Sequence, residues 1–384
     1  MRSHSYLNSA TSIIASYDGS MPLAAWLKQY FAANKKFGSK DRKEVAHLCY
    51  CYYRTGVAIA AGMEEQLLAS LYLCSEKPGF ILGELKPEWN QQVHWPLEAK
   101  LASLPYVIQL ENIFPLADAL SAEIDAPLFT RSHLVQPDLY VRCRPGKKAI
   151  VLQKLDAAGV PYRLVSEEGI AVANATKVEA ILEVNREVVV QDLNSQRVLE
   201  PLQSYLQTDA AFDAWDCCAA SGGKTILLKD RYPSVQITVS DIRSSILANL
   251  QKRLREAGIT LFLQFTADLS SPEFNSSRSY DLVLCDAPCS GSGTWGRTPE
   301  QLRFFREEQI SHYASLQKKI ALKAAAAVKE GGYLLYITCS VFRQENEELV
   351  AYLQQQTTLQ HAGSFYFTGY EQKADTLFTA LFRL

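Results

Sequence analysis

From Gln191 to the C-terminus, short apolar runs alternate with stretches that read as helix, and three of the runs in succession hand over to an aspartate. Strands are expected at 214–218, 236–240, 261–265, 282–285 and 333–338. Alternation of this kind leaves little choice of architecture: a mostly parallel sheet with helices covering both faces. A helix over 311–329 should end at Gly331-Gly332, a natural C-cap before the last of these strands. The closing D-T-L-F-T-A-L-F-R-L can supply one more strand. The fold class is therefore α/β.

The rest of the chain reads differently. Residues 1 to about 130 are expected to be helical, with Val45, Leu48 and Tyr52 on helical spacing in 41–54 and Ser39 as its cap. Further helical pieces fall at 65–74 and 116–124, before Pro127 and Pro137 interrupt. A small α/β unit follows, with strands at 139–143, 162–165 and 170–172 and helices at 149–158 and 177–184. At 384 residues there is room for each part to bury a core, and the expected division is 1–135, 136–190 and 191–384.

The formal charge of −2 hides local asymmetry. Six basic residues and one acid lie between Lys28 and Lys43, and Arg142, Arg144, Lys147 and Lys148 form a second cluster. Either is a candidate to meet phosphates, or simply a solvated face. Nine cysteines, an odd number without framework spacing, do not suggest a disulfide scaffold, and without a C-x-x-C pair no zinc site is expected. No secretory signal or membrane-spanning run is seen, so a reducing cytoplasm is the expected setting and a monomer the expected state.

Within the α/β half, D-C-C-A-A-S-G-G-K-T (Asp216 to Thr225) runs from a strand through small residues and Gly222-Gly223 into a helix. Such a turn lets a ligand approach bare backbone beside a helix N-terminus. It is not a phosphate loop, because Cys218 stands where the first glycine is required, and the dinucleotide fingerprint is also absent. Asp241 at the next strand end can accept from ribose hydroxyls, Asp268 can face an adenine amino group, and Asp286 follows the fourth strand. The ordered set suits a ribonucleoside carrying a positive sulfonium.

Two cysteines end strands in the same half: Cys289 in D-A-P-C-S-G-S-G and Cys339 in Y-I-T-C-S. Cys49, Cys51, Cys74, Cys143 and Cys285 are expected to be inert core thiols. Paired thiols beside a nucleoside pocket suggest covalent chemistry on an electron-poor ring, with cytosine the candidate. A thiolate adding at C6 makes an enamine whose C5 can take a methyl group from sulfur. Asp286 would hold a proton at N3, and a second group near the first thiol would assist release. The spacing alone does not say which thiol attacks.

These motifs resemble the RNA cytosine-C5 methyltransferase family, the Sun/Fmu group, in its bacterial ribosomal-RNA type. V-V-Q-D-L-N-S-Q (Val189 to Gln196), the glycine turn, D-A-P-C-S-G-S-G, T-C-S with the following Q-E-N-E, and D-T-L-F-T-A-L all look like motifs of that group. The resemblance implies a seven-stranded, Rossmann-like S-adenosylmethionine-dependent methyltransferase domain. It is preceded by a ferredoxin-like RNA-recognition unit and a helical, NusB-like RNA-binding domain. It implies Cys339 as nucleophile, Cys289 assisting release and Asp286 at N3. Cofactor contacts are implied at Cys218, Ala219, Ala220, Ser221, Gly222, Gly223, Lys224, Asp241, Asp268 and Asp286. Two departures stand out: Ser221 where the family usually has proline, and D-T-L-F where it usually has D-G-F-F.

The leading expectation is methylation of cytosine C5 in RNA, with 16S ribosomal RNA as the foremost substrate and no metal or membrane partner. Transfer RNA is the alternative within that chemistry. A non-catalytic RNA-binding assembly factor is the alternative outside it, against which both cysteines and Asp286 are present. A small-molecule methyltransferase is disfavoured by the basic N-terminal region and the small α/β unit.

Overall fold

The structure is a computed structural model that describes residues 2–209 and 211–384. The chain divides into two compact units. One comprises 1–118, 125–136 and 294–306; the other comprises 119–124, 137–293 and 307–384.

The first unit is helical: α1 (Arg2–Ser16), α2 (Leu23–Ala33), α3 (Ser39–Arg54), α4 (Met63–Cys74), α5 (Phe80–Leu85), α6 (Pro87–Gln92), α7 (Leu97–Ser103) and α8 (Ala126–Ser132). Val45 and Leu48 are fully buried and Tyr52 nearly so, as their spacing requires. Helix α3 is capped one residue earlier than expected. Gly38 is the N-cap, and its amide donates to the Asp41 carboxylate at 3.0 Å, so Asp41 closes the first turn. The expected helix at 116–124 does not form. Only Ala117–Ala119 makes a 3-10 turn, after which Leu120 bridges to Phe342 and the Ser121 amide donates to the Val341 carbonyl. Those strand-like bonds satisfy backbone groups that a helix would have satisfied internally.

The second unit holds two sheets. The smaller is antiparallel, built from β1 (Leu139–Cys143), β2 (Tyr162–Leu164), β3 (Gly169–Val172) and β4 (Val188–Val190) in the order β2-β3-β1-β4. Helix α9 (Lys148–Ala157) crosses between β1 and β2, giving the ferredoxin-like arrangement. The second expected helix, 177–184, is reduced to a 3-10 turn at Val178–Ala180. Val178 and Leu182 are buried in the small core at a spacing one tight turn already achieves.

The larger sheet contains β5 (Asp213–Asp216), β6 (Gln236–Asp241), β7 (Leu263–Thr266), β8 (Tyr280–Asp286), β9 (Val328–Thr338), β10 (Gln360–Phe367) and β11 (Leu377–Arg383). Their order is β10-β11-β9-β8-β5-β6-β7. Strands β5 to β9 run parallel, and β11 runs against them, antiparallel to β9 on one side and to the edge strand β10 on the other, so β10 points the same way as the parallel strands. Helices α10 (Gly223–Arg231) and α11 (Ser244–Glu256) follow β5 and β6. Two apolar layers, one holding Ile226, Leu250 and Leu282 and the other Trp215, Val283 and Leu349, cover the faces. The chain leaves β5 in one direction and returns on its other side at β8. Their carboxyl ends therefore flank a topological switch point, where such sheets form their crevice.

After α12 (Gln301–Phe304), helix α13 (Glu308–Ala325) ends earlier than expected, and Gly331-Gly332 lie inside β9 rather than at a cap. Val328 already pairs with Tyr280, and the register shifts before Leu282 meets Tyr333, so the two glycines absorb an irregularity in the strand. Gly331 takes a φ of 75°, and a Cβ on Gly332 would crowd the Asp281 carbonyl. Helix α14 (Glu347–Gln356) and the edge strand β10, unannounced by the sequence, complete the unit. No described helix is long and apolar enough to cross a membrane.

Candidate active site

The carboxyl ends of β5, β6, β7, β8 and β9 surround one cavity of about 450 Å³. Cys218, Ala220, Asp241, Asp268, Asp286, Cys289 and Cys339 all line it, so seven of the residues singled out from the sequence meet in one place. The wall is completed by residues the sequence did not single out. Ile242, 58% exposed, Ala267 and Leu269 join Leu316 and Ile320 of α13 to make an apolar surface.

The turn after β5 is shaped for close approach. Ala220 and Gly222 adopt φ values of 44° and 83°, and the helix starts at Gly223. A Cβ on Gly222 would press on Leu250, 3.1 Å away. Ala219, Ser221, Gly222 and Gly223 do not line the cavity; they form the turn that supports it. Ser221 faces outward, where its carbonyl and hydroxyl oxygens each accept from Arg253 at 2.8 Å. Asp241, nearly buried, ties this turn to the neighbouring strand. One of its oxygens accepts from the Ala220 amide at 3.0 Å and the other from the Arg243 amide and guanidinium at 3.0 and 3.1 Å. The exposed Arg243 side chain thus holds one edge of the Asp241 carboxylate. Asp268 bonds the Ser270 amide and hydroxyl, and these bonds hold its carboxyl below the usual range. Two carboxylates, an apolar wall and open backbone fit a nucleoside with a cationic sulfonium, which is what S-adenosylmethionine presents.

Lys224 has a different position from its neighbours in the turn. Its ammonium reaches Asp286 at 2.6 Å. Burial works against the ammonium, but the charge and hydrogen bond of Asp286, and then the nearby Cys339, more than offset this and raise its pKa. Beneath the pair, buried Asp216 accepts from the Thr225 hydroxyl at 2.6 Å while its second oxygen has no partner. Burial pushes its pKa up to about 7, with the Thr225 bond opposing.

The two sulfurs of Cys289 and Cys339 lie 3.3 Å apart. Strands β8 and β9 are parallel neighbours, and their loops are joined: the Gly293 amide donates to the Cys339 carbonyl, and Thr376 donates to the Gly293 carbonyl, both at 2.9 Å. A Cβ on Gly293 would run into the Thr376 carbonyl, which is why the loop needs glycine here. The Cys289 thiol is pushed well up, first by its hydrogen bond with Cys339, then by burial, and also by the charges of Cys339 and Glu345. Among the described residues, no cluster of three or more His, Cys, Asp or Glu is arranged to hold a metal ion.

One sequence-based grouping does not hold. Arg142 is 1% exposed, and both it and Arg144 bond Asp230 on α10 at 2.7 Å. They brace the small sheet against the helix that begins at the glycine turn, and the buried Arg142 is closed to phosphates. Lys147, by contrast, is exposed, as are Lys35, Lys36 and Lys40 of the helical unit.

Residues 204–377 match the profile of the family described as 16S rRNA methyltransferase RsmB/F. A ribosomal RNA small subunit methyltransferase B from Xylella fastidiosa (strain Temecula1) is 31% identical over 219 residues, covering 56% of this chain and 50% of that protein. The chain spans about half the length, or less, of the curated relatives it matches. Among solved structures, that of PH0851 superposes with a TM-score of 0.68 at 19% identity over 93% of both chains. NSun6 from Pyrococcus horikoshii, solved with SFG, gives 0.58 at 15% identity over 70% of this chain and 96% of its own. These likenesses are of fold, and the fold is that of the S-adenosylmethionine-dependent methyltransferases. The likeness to the 16S rRNA methyltransferase RsmB/F family runs over residues 204–377, a little under half of the chain.

Proposed function

We propose that the protein methylates C5 of cytosine in RNA, with 16S ribosomal RNA as substrate, through a covalent adduct between Cys339 and C6. The observation that carries this reading is the pair of sulfurs 3.3 Å apart, lining the same cavity as Asp241 and Asp268. S-adenosylmethionine supplies the methyl group from its sulfonium.

The residues divide the work by charge. Cys339 lies near the Lys224 ammonium, and its sulfur attacks as the thiolate. Attack at C6 pushes an electron pair toward C5, and N3 must accept a proton or a strong hydrogen bond. Lys224 and Asp286 form a proton-bearing pair there, held at 2.6 Å. After methylation, the C5 proton leaves, the Cys339–C6 bond breaks and the thiolate returns. Cys289 begins as a neutral thiol, chiefly because it is hydrogen-bonded to Cys339. Once Cys339 is bound to carbon, that bond and the thiolate charge are gone. Cys289 then gives up its proton to water more easily, and the thiolate so formed takes the C5 proton. The order of events thus follows from which sulfur is bonded to carbon.

The test is to incubate wild type, Cys289→Ala and Cys339→Ala with 16S RNA fragments and cofactor, then run denaturing electrophoresis and bisulfite sequencing. Wild type should leave 5-methylcytosine. Cys289→Ala should accumulate an RNase-sensitive protein–RNA adduct, and Cys339→Ala should give neither product. Trapping by Cys339→Ala would exchange the roles, and full activity in both variants would end the covalent reading.

A further inference from the structure

Between the two thiol-bearing loops sits a carboxylate that the chemistry above does not use. Glu345 is completely buried and forms no ion pair with Lys, Arg or His among the described residues. An ionised carboxylate in such a place is costly unless its oxygens are fully bonded. Here they are bonded to groups from three elements. The Ser290 amide, one residue from Cys289, donates to Oε2 at 2.9 Å. The Ser340 hydroxyl, one residue from Cys339, donates to Oε1 at 2.6 Å. The Gln317 side chain on α13 donates to Oε2 at 2.8 Å and also reaches the Pro288 carbonyl at 3.0 Å.

Around this carboxylate the serines interlock. Ser292 accepts from the Val341 amide at 2.9 Å, Ser290 donates to Ser340 at 3.2 Å, and Asn346 donates to the Ser340 carbonyl at 2.9 Å. Every bond to the Glu345 carboxylate arrives from beside one thiol or the other, or from the helix that fixes Pro288. A core glutamate kept only for stability would have no reason to join these loops. A glutamine of the same shape has one acceptor oxygen and could accept at most two of the three donors.

We propose that Glu345 is the positioning residue of the thiol pair, its carboxylate setting the distance between the Cys289 and Cys339 sulfurs by bonding both loops at once. The proposal draws its functional meaning from the covalent reading above. Its geometric content can be measured without RNA.

A trivalent arsenical, phenylarsine oxide, binds two thiols only when both sulfurs reach one arsenic atom, with loss of water. Bonded thiols also occur at Cys51–Cys74 and among Cys217, Cys218 and Cys285. The assay therefore uses a background in which the part-exposed Cys74 and Cys218 are replaced by serine and the remaining members are buried. There Cys289→Ser and Cys339→Ser should each abolish the tight component. Glu345→Gln should weaken that component by about tenfold or more. In RNA methylation it should lower kcat by about 10²-fold while KM and cofactor affinity stay within about threefold, the mark of misplacement at the reacting atoms. Should Glu345→Gln fail to fold, Gln317→Ala, which removes one of the three donors, should show the same two losses in smaller measure. Arsenical affinity and kcat both at wild-type values in a folded Glu345→Gln overturn the proposal. So does a KM effect without a kcat effect. If the arsenical result stands but wild type methylates no RNA, the positioning holds and the functional reading falls.

Discussion

Replacing Lys224 with methionine keeps the apolar stem and deletes the ammonium that touches Asp286 at 2.6 Å. The side chains are 15% and 27% exposed, so water screens the pair only in part. A charge-assisted bond of this kind contributes about 1.5–3 kcal/mol, and partial exposure places this one at about 1.5–2. That alone predicts a ten- to thirtyfold fall in kcat, roughly one decade per 1.4 kcal/mol. If the pair also delivers the proton to N3, the fall should extend to about 10²–10³-fold. Cofactor affinity should change little, because the ammonium is committed to Asp286. Single-turnover transfer of a labelled methyl group to RNA measures the first quantity and calorimetry with the cofactor measures the second. A kcat within about threefold of wild type would refute the reasoning, given what a positioned acid contributes. Cofactor affinity falling in step with kcat would return Lys224 to the binding role its place in the glycine turn suggests.

Asp241→Ala should weaken cofactor binding by roughly 2–4 kcal/mol, since it removes the ribose acceptor and frees the Ala220 amide; unchanged calorimetric affinity would remove Asp241 from the site. Asp230→Ala leaves two arginines without their counter-ion, one of them fully buried. It should cost about 3–5 kcal/mol in urea unfolding, whereas a variant of normal stability that loses only RNA affinity would restore the phosphate-binding role for Arg142 and Arg144. Asp216 holds its proton to about pH 7 when folded but ionises near pH 4 unfolded, so its contribution is intact below about pH 4 and is lost as pH rises toward 7, by at most about 4 kcal/mol. Asp216→Asn should therefore match wild type in melting temperature at pH 4 and exceed it at pH 8; equal melting temperatures at both would show that Asp216 ionises normally.

The strand ends were legible in the sequence because each combines an apolar run with an acid or a thiol, and a parallel sheet gathers such ends at one edge. What was not legible depended on partners far along the chain. Arg142 and Arg144 look like a basic patch until Asp230, more than eighty residues later, is brought against them. Lys224 reads as part of a turn because its neighbours are small, while its ammonium is bonded to Asp286, sixty-two residues away. Glu345 falls in the Q-E-N-E that follows T-C-S, but its role was not legible there, because its partners Ser290 and Gln317 lie far off in sequence and meet it only when β8 pairs with β9. Strand β10 alternates partial exposure along an edge and contains Gly363, so it lacks the apolar density that announced the central strands.

The stretch Thr294–Arg306 starts one residue after the thiol loop ends, yet its contacts belong to the helical unit. Glu300 accepts from the Leu23 amide at the start of α2, Arg303 lies 4.1 Å over the Tyr52 ring, and Phe304 packs against Tyr17 and fills the notch left by Gly19. Sequence order and domain order therefore disagree, and no cut between residues separates the two units cleanly. A truncated chain beginning near Pro137 would strand Leu302 and Phe304 without their aromatic bed and leave the buried Glu300 carboxylate with no helix to cap. Loss of methylation in such a fragment would say nothing about RNA recognition. The informative way to silence the helical unit is to leave it folded and neutralise its exposed lysines.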